Sequence, residues 1–108
     1  MDNFECIDIV RAEKLIAEGA VVADIRDPQS YQQNHIKDAV HLSNDTLHDF
    51  IQSADMDTPV IVCCYHGFSS QSAAGFLIQQ GFDQVYSLDG GFELWQTSRP
   101  EQCSNSAE

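Results

Sequence analysis

Positive charge is scarce in this sequence. Arg11, Lys14, Arg26, Lys37 and Arg99 are the five basic residues, they form no cluster, and against 17 Asp and Glu they leave a formal net charge of −12. Nucleic acids and anionic membrane surfaces are held by positive patches, so neither is expected as a partner. A small anion would be repelled at long range, and binding one needs donors aimed at it locally. Long apolar runs are missing as well. Nothing approaches the roughly 18 residues that span a bilayer. The start, MDNFECIDI, has neither the basic opening nor the apolar stretch of a signal peptide. A cytoplasmic protein is the expectation. There is no CxxC pair, and the four His residues are scattered, so no metal site is expected. Disulfides are not expected either: Cys63 and Cys64 are adjacent and pair only through a strained ring, and Cys103 lies in a polar end.

What is present is a regular alternation of strand-like and helix-like segments. The length of 108 residues suits one core and is too short for two. FECI (4–7) reads as a short edge strand, and Asp8 is placed to cap a helix over 9–18 that Gly19 ends. VVADI (21–25) reads as a buried strand, and Pro28 suits the first turn of a short helix running through Asn34. DAVHL (38–42) is the next strand, after which Asn44 or Asp45 is expected to cap a helix from Thr46 to about Ser53. PVIVCC (59–64) is the most strand-like run in the chain. A helix follows from Ser69 to Gln80, with Ala73, Ala74, Phe76, Leu77 and Ile78 available for a broad apolar face, and Gly81 stops it. QVYSL (84–88) is a last strand, and DGGFELWQ turns into a final helix whose Phe92 and Trp95 share one face. This pattern predicts an α/β sandwich around a mostly parallel sheet of about five strands. One domain is expected over 1–98, with a polar, frayed tail over 99–108.

In open parallel sheets ligands bind beyond the carboxyl ends of the strands. The segment CYHGFSS (64–70) occupies such a position, after the strand expected to be central. Gly67 permits positive φ and close approach of a ligand. The helix start offers unpaired N–H groups and the positive end of its dipole, so loop and helix together form a nest for a small anion. A thiolate placed there is favoured over a thiol, whose pKa falls from about 8.5 toward neutral. Two cysteines compete for the position. Cys63 is still inside the strand and is expected to pack as a small hydrophobe. Cys64 ends the strand and opens the loop, where donors and access are expected, which makes it the candidate nucleophile. The competing reading is that both are inert packing, as buried cysteines often are.

Three segments together resemble the rhodanese family of sulfurtransferases. DIRDPQSYQQNHIKDAVHLSN (24–44) resembles its N-terminal signature, CYHGFSS its active-site loop, and DGGFELW (89–95) its C-terminal signature. The likeness is greatest to the short, single-domain thiosulfate sulfurtransferases associated with the bacterial glycerol-phosphate regulon. Asn34 and Asp38 stand where glycines are usual, and the loop has no Lys or Arg where larger relatives are basic. The resemblance implies a rhodanese-like three-layer sandwich and a double displacement. Cys64 would take the outer sulfur of thiosulfate, release sulfite, and pass the sulfur from a persulfide to cyanide or to a thiol such as thioredoxin. Backbone N–H groups of Tyr65, His66, Gly67, Phe68 and Ser69 would surround the persulfide, and the hydroxyls of Ser69 and Ser70 would hydrogen-bond it and cap the helix. No metal or organic cofactor is implied.

Around this loop, His66 is expected to act through its backbone and charge, because a thiolate in the nest needs no base. Asp24 and Arg26 are expected to pair near the strand end, either bracing the loop or forming a plain structural ion pair. His35 is expected to pack or hydrogen-bond in its turn. A cysteine phosphatase or arsenate reductase would need an Arg in FSSQ to clamp an oxyanion, and none is there. A persulfide carrier fed from another donor, or a non-catalytic interaction module of the same fold, is the alternative to a thiosulfate enzyme.

Overall fold

The computed structural model describes residues 4–105. Five short strands form one sheet: β1 (Glu5–Ile7), β2 (Val21–Asp24), β4 (Val40–His41), β5 (Val60–Cys63) and β6 (Val85–Leu88). Their order is β1-β6-β5-β2-β4 and every pairing is parallel, which puts β5 in the centre and β1 on an edge. Helices α1 (Ile9–Ala17), α2 (Pro28–Gln33), α3 (Leu47–Ser53), α4 (Ser69–Gln79) and α5 (Gly91–Ser98) connect or follow the strands. A parallel sheet covered on both faces must be apolar on both faces, and β5 and β6 are buried at every residue.

Side-chain alternation sorts those residues into two cores. Ile61, Cys63, Tyr86 and Leu88 face one way and pack with Ala12 and Leu15 of α1 and Phe92 and Trp95 of α5. Val60, Val62 and Val85 face the other way and pack with Ala74 and Leu77 of α4, with Phe50 and Ile51 of α3 against them. Each fully buried Leu or Phe in these layers contributes roughly 1.5–3 kcal/mol. Among the described residues no helix is long and apolar enough to cross a membrane.

Local chemistry explains the element ends, including those that differ from the sequence expectation. Asp8 caps α1 by accepting the Arg11 N–H at 2.9 Å, as expected. The N-cap position of α3 is Thr46, not Asn44 or Asp45, and its side chain makes no bond into the helix. The Thr46 Oγ1 is held by the Ser43 N–H at 2.8 Å, and Ser43 O accepts the Leu47 N–H, so the turn closes on Ser43. The strand read over 38–42 shrinks to Val40–His41, and Asp38 ahead of it is left-handed, at φ 66°. Aspartate tolerates this conformation better than most residues. The buried face of α4 is Ser70, Ala74 and Leu77, with Ala73 and Ile78 partly buried beside it as expected, whereas Phe76 points away, 40% exposed.

The end of the chain is not frayed as far as Asn105. Pro100–Gln102 form a 3₁₀ turn, and β7 (Cys103–Ser104) pairs antiparallel with β3 (His35–Ile36). Polar composition hid this pairing, because backbone groups supply its hydrogen bonds. The rest of the expected tail, 106–108, lies outside the described residues.

Candidate active site

The loop after β5 closes around one sulfur atom. Strand alternation carries Cys64 to the α4 side of the sheet, opposite Cys63, and there Sγ accepts the N–H of Gly67 at 3.1 Å and of Ser70 at 3.2 Å. Gly67 has φ 94°, a conformation that lets the chain double back over the sulfur; a Cβ at this position would lie 2.9 Å from the Gly90 nitrogen. Ser70 is in the first turn of α4, so the helix's unpaired amides and dipole point at Sγ.

The carbonyls of the loop are turned outward and occupied. The first turn of α5 donates Phe92 N–H to Cys64 O at 2.8 Å and Glu93 N–H to Tyr65 O at 3.1 Å. Gln71 Nε2 donates to Gly67 O at 3.0 Å. With its acceptors engaged elsewhere, the loop presents donors to the sulfur. The approach of α5 depends on Gly91, whose φ is 59° and where a Cβ would stand 2.5 Å from the Tyr65 carbonyl. The Gly-Gly doublet thus acts on the loop from the end of another strand, β6.

Electrostatics separates the two neighbouring thiols. Burial pushes the Cys63 thiol well up, and nearby Asp24 adds to the rise. Burial also raises Cys64, but hydrogen bonds from the Ser70 side chain and amide and from the Gly67 and His66 amides outweigh it, and the net shift is downward. Exposure does not separate them, at 0% for Cys63 and 2% for Cys64, so the expected difference in access is replaced by a difference in donors. Cys6 and Cys103 are both raised, first by burial and then by Asp89 and Glu101 respectively.

The other residues singled out from sequence fall into place around this cradle. Tyr65 is half exposed, and its hydroxyl donates to Asp27 Oδ1 and lies 3.2 Å from Ser30 Oγ, tying the loop to α2. His66 Nε2 lies 2.6 Å from Glu93 Oε1 on the surface, so its ring is paired outward. Phe68 stands at the loop tip, 78% exposed. Ser69 opens α4 and is exposed. Neither serine hydroxyl caps the helix, whose N-cap is Phe68 without a side-chain bond. Ser70 Oγ instead meets Ser87 Oγ at 2.7 Å.

Asp24 and Arg26 pair as expected, with Arg26 Nη2 2.8 Å from Asp24 Oδ2 and Nε at 3.1 Å from both carboxylate oxygens. Nη2 also donates to Asn34 O at 2.6 Å, and the guanidinium lies 4.2 Å from the centre of the Phe92 ring. Both residues are buried. The pair therefore joins β2, the α2 turn and α5 behind the loop, with its charge spent internally. His35 stacks on Tyr31 at 3.9 Å and bonds its carbonyl. A concavity of about 330 Å³ borders the loop, lined by Arg26, Asn34, Tyr65, His66, Phe92 and Glu93. A larger one of about 410 Å³, between α3 and α4, includes none of residues 64–70. No cluster of His, Cys, Asp and Glu suited to a metal is found among the described residues.

Residues 9–98 match the family model described as a rhodanese-like domain. The chain belongs to the rhodanese family. It is 54% identical over 102 residues to a protein named thiosulfate sulfurtransferase GlpE from Pseudomonas syringae pv. syringae, covering 94% of this chain and 96% of that one. It is 55% identical over 108 residues to the protein of the same name from Ectopseudomonas mendocina, covering 100% and 99%. The solution structure of the rhodanese-like domain from the Anabaena sp. Alr3790 protein superposes with a TM-score of 0.81 at 20% identity, over 95% of this chain and 80% of that one, which supports the fold.

Reading the sequence alone missed three contributors to this rhodanese site. Ser87 interrupts the apolar strand VYSL, and a polar residue in a strand buried on both faces is a signal that a partner must exist. Asp27 precedes Pro28 and lies three residues before Ser30, an N-cap arrangement that was legible. Gly91 was visible as half of a doublet, but its packing under Tyr65 joins segments that are far apart in the chain.

Proposed function

We propose that this rhodanese is a thiosulfate sulfurtransferase that works through a Cys64 persulfide. The Cys64 thiolate attacks the outer sulfur of thiosulfate, a Cys–S–S bond forms, and the bond to the sulfonate sulfur breaks with its electron pair leaving as sulfite. An acceptor nucleophile then attacks the outer sulfur and returns Cys64 as thiolate, giving thiocyanate from cyanide or a persulfide from a thiol. The observation that carries this reading is the lowered pKa of Cys64 alone among the four cysteines, with the two amides that cause it in part at 3.1 and 3.2 Å. The amides of the 64–70 loop take the negative charge that lysines or arginines would otherwise hold, so a chain of net charge −12 can receive an anion at one point.

The physiological acceptor in this reading is a protein thiol of the thioredoxin type. Phe68 at the tip of the loop offers it an apolar contact beside the sulfur. The setting is the cytoplasm, where the four free cysteines stay reduced. Asp24 and Arg26 hold the loop from behind, and His66 serves through its backbone N–H.

The test is thiocyanate production from thiosulfate and cyanide by the intact chain. Thiosulfate alone is expected to add the mass of one sulfur atom to the peptide containing Cys64, and cyanide to remove it. Sulfur found on Cys63 instead, or no added mass with turnover of p-nitrophenyl phosphate, would sink the proposal.

A further inference from the structure

Ser87 lies outside the loop, yet it holds the hydroxyl nearest to the sulfur's own donor. Ser87 pairs in register with Val62 and lies two residues from Val85 on the same face of the strand, so its side chain occupies the α4 face on which Cys64 also lies. Ser70 and Ser87 are both 0% exposed, and their oxygens are 2.7 Å apart. A valine here would extend the apolar row of Val60, Val62 and Val85, and burying a hydroxyl is costly unless it is bonded. A buried hydroxyl at this point asks for a task.

We infer that Ser87 is a positioning residue for the nucleophile: its hydroxyl donates to Ser70 Oγ, which leaves the Ser70 O–H to donate to Cys64 Sγ. A hydroxyl has one proton and two lone pairs. In this dry pair, either Ser70 gives its proton to Ser87 or it receives the Ser87 proton and keeps its own for the sulfur. The Ser70 N–H already reaches Sγ at 3.2 Å, which seats the residue that carries this hydroxyl against the sulfur. A charged sulfur selects the second order, because a hydrogen bond to an ionised group is roughly twice as strong as one between neutral groups. After burial, which raises the Cys64 pKa, the Ser70 side chain is the foremost cause that lowers it. Through Ser70, β6 thus helps set the charge on the residue that follows β5.

The inference rests on Cys64 as the nucleophile, and the experiment separates the two. Alkylation of the folded chain by iodoacetamide is followed against pH, peptide by peptide. Ser87→Val and Ser87→Thr have the same shape and differ by the hydroxyl, so packing effects are common to both. The Val variant is expected to raise the pH at which Cys64 alkylation half-saturates and to slow alkylation below that pH by roughly three- to tenfold, as about half to one pKa unit implies. The Thr variant is expected to stay near the unchanged protein. Ser70→Ala is expected to have the larger shift, and adding Ser87→Val to it to change nothing more. Equal profiles for the Val and Thr variants, or a shift that adds to that of Ser70→Ala, overturn the inference. Failure of Cys64 to alkylate ahead of Cys63 in the unchanged protein would instead overturn the functional reading beneath it.

Discussion

Cys63 and Cys64 are joined by one peptide bond and equally hidden from water, yet they belong to different parts of the molecule. Cys63 points with Ile61 into the core formed with α1 and α5, where burial holds the thiol protonated. Cys64 points to the other face, where a helix begins and two amides meet its sulfur. Strand alternation turns neighbouring residues to opposite layers, and the layers differ in what they offer: side chains on one side, helix-terminal donors on the other. Exposure therefore does not distinguish the two thiols. The donors supplied to a buried sulfur do, and they turn the pKa of Cys64 down where that of Cys63 goes up.

The largest effect is expected from exchanging the two thiols. Cys64→Ser should lower thiosulfate:cyanide transfer by on the order of a thousandfold or more, since no persulfide forms, whereas Cys63→Ser should retain most of the activity. Steady-state thiocyanate assays check both, and the reverse pattern would break the comparison.

Next comes Gly91→Ala, which leaves both cysteines in place but puts a Cβ against the Tyr65 carbonyl at φ 59°. Left-handed backbone alone costs a non-glycine residue about 1–2 kcal/mol, and the overlap adds to it. Transfer activity should fall by roughly tenfold or more, because about 1.4 kcal/mol lost at the transition state already amounts to tenfold. Thermal unfolding and kinetics measured side by side would reveal whether the loop or only the fold is affected; unchanged activity would contradict the bracing of the loop by α5.

A pH series sharpens the contrast without mutation. A lowered pKa keeps Cys64 as thiolate at pH values where an ordinary thiol is already protonated, so its alkylation rate should hold as pH falls from about 8.5 and drop only through the lower value. Cys63 shifts the other way and should stay unmodified across the same range while the chain is folded. Coincident profiles for the two peptides would remove the electrostatic distinction.

The smallest effect concerns Cys63 alone. Cys63→Ala deletes one sulfur from a closed core and should cost about 1 kcal/mol, seen as a fall of a few degrees in Tm, with transfer activity within about twofold. A large loss of activity at normal stability would mean that the α1/α5 layer takes part in the chemistry.

Much of this was legible in the residues themselves. VIVCC announced a buried strand, Gly67 and the serines a turn into a helix, and the loop's place beyond a central parallel strand a ligand site. Where reading failed, the cause was consistent. Asn44 and Asp45 are good capping residues, but Thr46 was already held by Ser43, so geometry outranked propensity. The end of the chain is polar in its side chains, yet Cys103 and Ser104 are paired through backbone groups that composition does not report.

The sequence by itself determined the order of elements and marked Cys64 as the candidate nucleophile, because periodicity, glycine conformation and the junction of strand and loop are local properties of the chain. Only the tertiary structure decided how the site is held. Phe92 and Glu93 draw the loop carbonyls outward, Arg26 joins Asp24 to the α2 turn and α5, and Ser87 reaches from the sheet to Ser70 of α4. These contacts depend on the register of strands and the seating of helices. Register is set by packing between segments distant in sequence, and no local pattern encodes which polar groups it will bring to one sulfur.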